Sequence, residues 1–242
     1  MRRRLLSWVL AVMLPLSARA QQTTSDGTRL PLGRDSLVIF LIRGSDTTRT
    51  GGISDELRQV ADGGVEAVER IYRSNDRLLG RRLDTLVDVR LSLGPLRHQS
   101  RTDNGLESVQ FNDAGAMGVT RARNGDSAAR FAALAATVIN ASSVDLFLRA
   151  ATLTAGCTTN IQAYSPTLGR ILDVQARVAG VDTVAREASW RVQAEMDGRP
   201  VVFWIGTQSR RLNRQILRLH PGISLLFERT AYVAPRAGQR AL

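Results

Sequence analysis

The chain lacks lysine entirely, and all 33 of its basic residues are arginine. No side-chain amine is available to form a Schiff base or to contact the phosphates of a bound nucleotide. P-loop nucleotide hydrolysis, pyridoxal-phosphate chemistry and serine–lysine dyads are therefore excluded. A compositional bias that replaces lysine throughout the chain explains this pattern better than a dedicated anion-binding site does.

Cysteine and histidine are scarce. Cys157 is the only cysteine, so an intramolecular disulfide is excluded, and no cysteine lies near position 20 to carry a lipid anchor. We expect Cys157 to pack as a small apolar side chain at the start of a strand. His98 and His220 each lie beside a predicted turn without a second histidine or cysteine at ligand spacing, so no metal site is predicted.

No motif of nucleophilic catalysis is present, since the chain has no Gly-x-Ser-x-Gly element. Its neighbouring carboxylates, Asp55 with Glu56 and Glu66 with Glu69, lie near arginines, a pattern typical of solvated ion pairs on strand faces. The sequence thus predicts no catalytic residue, no metal and no cofactor, and it favours a non-enzymatic protein. A hydrolase built from two carboxylates distant in sequence stays open as a third hypothesis.

Residues 1–20 have the pattern of a secretory signal peptide, with arginines at 2–4, an apolar run over 5–16 and a small-x-small end at 18–20. The run is about twelve residues long and a membrane-spanning helix needs about twenty, so no transmembrane segment is expected after cleavage. We therefore expect a soluble periplasmic or secreted protein with a charge of about +7, against +11 for the whole chain. Export argues against nucleic acid as a partner and favours lipid phosphates.

The remainder of the chain is predicted to form one domain. Polar residues 21–36 predict a flexible lead-in, residues 37–230 the domain itself and residues 231–242 a tail. The apolar run over 37–42 is short and rich in branched side chains, which predicts a central strand buried on both faces.

Turn signals separate short segments of alternating polarity. The predicted turns lie at residues 62–64, 94–95, 103–105, 113–115, 124–125, 197–198 and 221–222. Apolar residues recur at every second position over 172–178, 190–196 and 87–91, and in the last of these Asp88 is predicted to face away from the apolar side. The segment 212–219 departs from this alternation, as either a bulge or an edge strand would.

One segment has helical spacing. A helix is predicted near Ser143–Ala151, with Ser143 as a suitable N-cap and Asp145 in the first turn, and Gly156 prevents its continuation. Its apolar side chains are Val144, Phe147, Leu148 and Ala151. The alanine-rich stretch 128–139 is a weaker candidate for a second helix. The fold class predicted is mostly β, a curved antiparallel sheet forming a half-barrel, packed around one or two short helices.

Three blocks of sequence carry a resemblance to a known family: residues 142–150, 189–198 and 202–205. The succession of strand and turn signals over residues 84–100 is also similar to that family's recurrent pattern. Over residues 37–229 the chain resembles exported bacterial proteins of a domain-of-unknown-function family, whose sheets are similar to the half-barrel of outer-membrane lipoprotein carriers. The resemblance implies a curved antiparallel sheet that closes over a short helix, and it carries over no catalytic residue.

These observations favour a protein that binds an apolar or amphiphilic ligand, such as a lipid, on the concave face of the sheet. The candidate concave-face and helix residues are Val144, Phe147, Leu148, Trp190, Val192, Met196 and Phe203. Ordinary core packing is the simpler explanation of Trp190 and Phe203. The alternative function is an interaction or assembly module that uses arginine-rich strands and sheet edges to bind an envelope protein or an anionic lipid surface.

Overall fold

The computed structural model describes residues 25–135 and 137–235. The predicted leader, residues 1–20, lies outside the described residues, as do 21–24 and 236–242. No helix within the described part of the chain is long and apolar enough to cross a membrane.

One large sheet of fifteen strands contains most of the described chain. The strands are β1 (Gly33–Arg43), β2 (Asp46–Asp62), β3 (Val65–Asp76), β4 (Gly80–Val89), β5 (Pro95–Thr102), β6 (Gly105–Asn112), β7 (Gly115–Ala122), β8 (Ser127–Ala132), β9 (Ile139–Asn140), β10 (Thr158–Ser165), β11 (Arg170–Val184), β12 (Glu187–Met196), β13 (Arg199–Gly206), β14 (Leu212–His220) and β15 (Ile223–Val233). One α-helix, α1 (Val144–Ala150), and two 3-10 turns, Gly27–Arg29 and Ala141–Ser143, complete the described structure.

The sheet is a meander that runs outward from its centre in both directions. Its order is β8 to β1 and then β15 down to β9, so β1 pairs with both β2 and β15. All pairs are antiparallel except the two-residue contact of β9 with β10. The predicted curved antiparallel sheet and the central position of residues 37–42 are therefore confirmed.

Side chains rather than a hydrogen-bonded ladder bring the two ends of the sheet together. Arg130 of β8 donates to the carbonyl oxygens of Pro166 and Thr167, at 3.4 and 3.3 Å. Phe111 of β6 meets Tyr164 of β10 edge-to-face, with ring centroids 6.0 Å apart. The half-barrel is thus nearly closed, and helix α1 lies inside it.

Six of the seven residues of helix α1 are buried, and the helix needs this packing because so short a segment is unstable alone. Val144 and Leu148, spaced i and i+4, pack in the main core against the inner face of the sheet. Leu146 and Ala150 have the same spacing and pack in a second core with Leu30, which lies just after the 3-10 turn Gly27–Arg29. The helix therefore divides the interior of the half-barrel into two apolar regions.

All seven predicted turns connect neighbouring antiparallel strands. At the β12–β13 turn Asp197 and Gly198 both have positive φ, 53° and 71°, as a type I′ hairpin requires. The β11–β12 turn has the same signature at Ala185 and Arg186, with φ of 51° and 64°. Sequence could not predict this second turn, because neither residue favours the left-handed region.

Two predictions about the helical region are wrong. The stretch 128–139 forms no second helix, because Ser127–Ala132 is strand β8 and pairs along its length with β7. Helix α1 ends at Ala150, one residue before the Ala151 predicted as its end, because the chain turns extended there. Ser143 precedes the helix as predicted, but its side chain makes no capping hydrogen bond and donates to Asp88 instead.

The alternation of polarity predicts burial correctly in the C-terminal half of the chain and incorrectly in part of the N-terminal half. Alternate residues of 172–178 are buried as predicted, whereas in β4 the carboxylate of Asp88 faces the interior and is 1% exposed. Leu91, predicted to share a buried face with Val87, is 63% exposed. In β14 the register shifts beside Leu212, so the bulge interpretation is confirmed and the edge interpretation is wrong.

Candidate functional site

A cavity of about 210 Å³ lies between the start of helix α1 and the inner face of the sheet. Most of its wall is apolar, and both halves of the sheet contribute. The principal apolar side chains are Leu37, Ile53, Leu86, Val144, Phe203 and Phe227. Polar side chains from β2, β3, β4 and α1 gather at one end, which we call the polar pole: Asp55, Arg70, Tyr72, Arg82, Asp84 and Asp145. The site is therefore amphiphilic.

Arg70 organises the polar pole. Its guanidinium donates to both oxygens of Asp55, at 2.8 Å each, and to both oxygens of Asp145, at 2.7 and 3.2 Å. A further bond of 2.9 Å reaches the carbonyl oxygen of Ser142. Burial alone would lower the pKa of Arg70, but the charges of Asp145 and Asp55 raise it well above its ordinary value. The arginine thus stays charged and joins β2, β3 and α1.

Arg149 supplies a second buried cation behind this network. Its side chain is 1% exposed, and one of its terminal nitrogens lies 3.7 Å from Asp145 and 4.0 Å from Asp55. Its Nε donates to the carbonyl oxygen of Arg210 at 2.9 Å. The two aspartates therefore face two guanidinium groups.

Arg82 and Asp84 form a separate ion pair at the edge of the cavity. The Nε of Arg82 donates to Oδ1 of Asp84 at 2.8 Å and lies 2.7 Å from Oδ2. The side chain of Arg82 is 38% exposed and that of Asp84 only 5%. The arginine is therefore the solvent-accessible member of the pair, and the aspartate is the desolvated one.

Two titratable groups with shifted pKa values lie close to the polar pole. Burial raises the pKa of Asp88 to about 7, against the effect of the hydrogen bond that Ser143 Oγ donates to it at 2.7 Å. Burial also lowers the pKa of His98 to about 4, against the effect of the nearby Asp84 charge. His98 is therefore neutral at physiological pH, whereas Asp88 titrates within that range.

The polar pole contains functional residues that sequence reasoning misses. The sequence predicts a solvated ion pair at Asp55, but this residue is 5% exposed and bound to Arg70, so that prediction is wrong. No local motif marks Arg70, Asp84 or Asp145 as a site residue. The signal that could have found them is an arginine and aspartates at inward positions of strands whose neighbours are apolar.

The predicted concave-face residues divide into two groups. Val144, Met196 and Phe203 line the cavity. The other four, Phe147, Leu148, Trp190 and Val192, belong to the packed core beside it. Cys157 packs, partly buried, against the same core at the residue before β10.

The inner face also carries the side chains of a hydrolase triad, without triad geometry. Asp84 and Ser100 are opposite one another in the β4–β5 ladder, and His98 lies two residues from Ser100. Neither ring nitrogen of His98 has a hydrogen-bond partner among the described residues. No group of three or more His, Cys, Asp or Glu side chains within residues 25–135 and 137–235 is arranged to hold a metal ion.

We predict that removing Arg70 destabilises the fold strongly. Arg70→Met leaves Asp55 and Asp145 buried without their main counter-charge, which costs about 3–5 kcal/mol of unfolding free energy in urea at neutral pH. The triple variant Asp55→Asn, Arg70→Met and Asp145→Asn removes the stranded charges and recovers most of that loss. Arg58→Met is the control, because Arg58 is an exposed partner of Glu56 and changes stability by less than about 1 kcal/mol. Equal losses for Arg58→Met and Arg70→Met would contradict this role of Arg70.

We predict that Asp88 makes stability fall as pH rises. Its pKa in the folded state, about 7, exceeds the ordinary 3.8, so the folded protein favours the protonated form. The stabilisation is complete below the ordinary value and is lost as pH rises through about 7, by a few kcal/mol in all. Asp88→Asn removes this dependence, and the difference between the urea unfolding curves of the two proteins across that pH range measures it. Parallel pH profiles for the two proteins would rule the effect out.

Comparison with solved structures supports the fold. The chain is similar to a beta-barrel-like protein of another domain of unknown function, DUF1849, from Brucella abortus, with 13% identity and a TM-score of 0.53. That match covers 84% of this chain and 98% of the other. At this identity it informs the architecture alone.

Two more distant structures also match. One, from Vibrio parahaemolyticus, is described as an outer membrane lipoprotein-sorting protein domain, with 7% identity over 86% of this chain and 88% of that one. The other is a DUF1329 family protein from Desulfovibrio piger, with 8% identity over 85% and 86%. Both have TM-scores of 0.25, so neither informs the structure or the function of this chain.

Sequence comparison assigns the family. No curated protein matches the chain. The model of the family described as "Protein of unknown function (DUF3108)" matches residues 55–220, which run from the second half of β2 to the end of β14. The predicted resemblance to a domain-of-unknown-function family with a half-barrel is thereby confirmed, and the chain belongs to the DUF3108 family.

Proposed function

We propose that this protein binds a small amphiphilic molecule in the cavity beside helix α1, with its apolar part against the sheet and its polar end at the polar pole. The observation that carries the proposal is the cavity itself. Its volume of about 210 Å³ exceeds the roughly 150 Å³ of an engineered apolar cavity that binds benzene. A single short alkyl chain with a polar end group fits this space.

The electrostatics of the site support binding rather than bond-breaking chemistry. Of the three carboxylates that line the cavity, Asp55 and Asp145 are both held by Arg70, and Asp84 is paired with Arg82. An acid–base pair needs one carboxyl group kept protonated beside one that is ionised. Asp88 has the raised pKa of such an acid, but it does not line the cavity. The charges of the polar pole therefore make one end of the cavity polar without supplying an acid–base pair.

We also propose that the protein is exported, as the sequence predicts. An amphiphile is poorly soluble in water, and a periplasmic or secreted protein with an interior site would carry it between lipid surfaces. Native mass spectrometry of protein purified from the periplasm, followed by solvent extraction, tests both parts. Protein that stays in the cytoplasmic fraction contradicts export, and protein that is uniformly empty contradicts carriage.

We predict that filling the cavity weakens the binding of octanol. Met196 lines the cavity and is only half-buried, so Met196→Trp can place an indole ring in the cavity without disturbing the centre of the core. We expect octanol affinity, measured by titration calorimetry, to fall at least about tenfold. Leu91→Trp is the control, because Leu91 is 63% exposed in the turn after β4 and does not line this cavity. Equal affinity in both variants would place the octanol elsewhere.

A second candidate function is docking on an anionic lipid surface through the outer face of β6–β8. Met117, Val119 and Phe131 are 50%, 48% and 62% exposed there, and Met117 is the register partner of Phe131. Arg101 and Arg121 lie on the same outer face on either side of Leu106. Neither arginine forms a salt bridge with a described residue, so both are free to meet lipid phosphates. A second copy would bring arginines against arginines, which disfavours self-association.

Vesicle sedimentation tests this second function. We predict that vesicles of phosphatidylcholine with phosphatidylglycerol bind the protein at low salt and release it at high salt. The double variant Arg101→Gln, Arg121→Gln should lower binding several-fold. Removing two exposed arginines elsewhere, by Arg177→Gln and Arg199→Gln, is the control with the same net charge. Absence of vesicle binding at low salt, or equal loss in both double variants, would exclude this docking surface.

A further inference from the structure

The charged side chains at the polar pole compensate one another. Three aspartates at the pole face three arginines. Asp55 and Asp145 both lie within 4.0 Å of Arg70 and of Arg149. Asp84 is paired with Arg82. The pole therefore offers an incoming ligand no free charge of either sign. Any ligand preference set by this balance rests on the proposed function, because the same cavity is involved.

An anionic ligand group would have to break one of these pairs or share an arginine with a buried aspartate that repels it. A carboxylate or phosphate that took Arg82 would leave Asp84 buried, at 5% side-chain exposure, without its counter-charge. One that took Arg70 would release two buried aspartates at once. A buried charge left without its partner is strongly unfavourable, so both exchanges work against binding. The ionised form of Asp88 nearby adds further repulsion for an anion.

A cationic ligand group meets a smaller obstacle. An ammonium group could replace Arg82 at Asp84, because Arg82 is 38% exposed and can turn into solvent. The exchange still gives up one ion pair to form another. Cations are therefore expected to bind less well than uncharged groups but better than anions.

Uncharged polar groups find unused partners in the same place. Tyr72, Ser142 and Gln215 line the cavity, and their side chains form no hydrogen bond with the described residues. The terminal nitrogens of Arg82 also remain available while its Nε stays bonded to Asp84. A hydroxyl, amide or ester can use these donors and acceptors without disturbing any ion pair.

We infer that the cavity selects amphiphiles whose polar group is uncharged, such as an alcohol, amide or ester on an alkyl chain. Short-range desolvation and ion pairing set this preference. The net positive charge of the chain attracts anions only at long range, and salt near 0.15 M reduces that attraction beyond about 8 Å.

Titration calorimetry of the intact protein with four ligands of equal chain length tests the inference: octanol, octanamide, octylammonium and octanoate at neutral pH. We expect octanol and octanamide to bind at least about tenfold more tightly than octanoate, with octylammonium between them. Octanoate binding as tightly as octanol would overturn the inference and leave the proposed function standing. No binding of any of the four would overturn the proposed function itself.

Variants that neutralise one member of the Arg82–Asp84 ion pair give a second, independent readout. Asp84→Asn frees Arg82 while keeping the shape of the side chain, so octanoate affinity should rise about tenfold relative to octanol. Arg82→Gln should instead favour octylammonium, which can supply the counter-charge that Asp84 loses. Because Asp84→Asn leaves no buried charge unpaired, it keeps the test available if Arg82→Gln is too unstable to assay. Asp62→Asn is the control, because it frees Arg97 on the outer surface, where the pair distance is 3.0 Å, and should leave selectivity unchanged. Selectivity unaltered in both cavity variants would show that charge pairing does not set it.

Discussion

The bidentate contacts of Arg70 with Asp55 and Asp145 are the interaction on which the interior depends. A seven-residue helix cannot form alone, and apolar packing does not by itself fix the orientation of so short a segment. The guanidinium joins a residue of the helix to one of β2 and also reaches the Ser142 carbonyl that precedes the helix. These bonds fix the position of the helix relative to β2 and β3. The cavity is the space beside the first turn of the helix.

The polar pole also explains why the cavity remains open rather than filled. Its charged side chains come from β2, β3, β4 and α1, and each is already bonded to a neighbour of opposite charge. Aspartate and arginine held in this way cannot rotate to fill the adjoining space without leaving a buried charge unpaired. The apolar wall, by contrast, can pack only as far as these fixed groups allow. The ion pairs thus limit how far the polar side chains can fill the cavity that they line.

The apolar half of this architecture is predictable from the sequence, and the charged half is not. Alternation over 172–178 and the Asx-Gly turns indicate strands and hairpins correctly, because burial and turn geometry leave direct marks on local residue choice. Asp55, Arg70 and Asp88 lie on strands of the same kind, but their partners are distant in the chain: Asp145 is 75 residues from Arg70. A local pattern places such residues in solvent, which is their usual position.

The absence of lysine takes on a different meaning at two positions. A compositional bias accounts for arginine on the exposed strand faces, where either cation would serve. The planar guanidinium of Arg70 donates five hydrogen bonds, to two carboxylates and a carbonyl oxygen. A lysine ammonium could not replace it, because it has only three donors on a single nitrogen. Arg149 likewise bonds a carbonyl with Nε while another nitrogen faces two aspartates. At these buried positions arginine is required by geometry, so the fold uses a property of the guanidinium that the composition alone would not reveal.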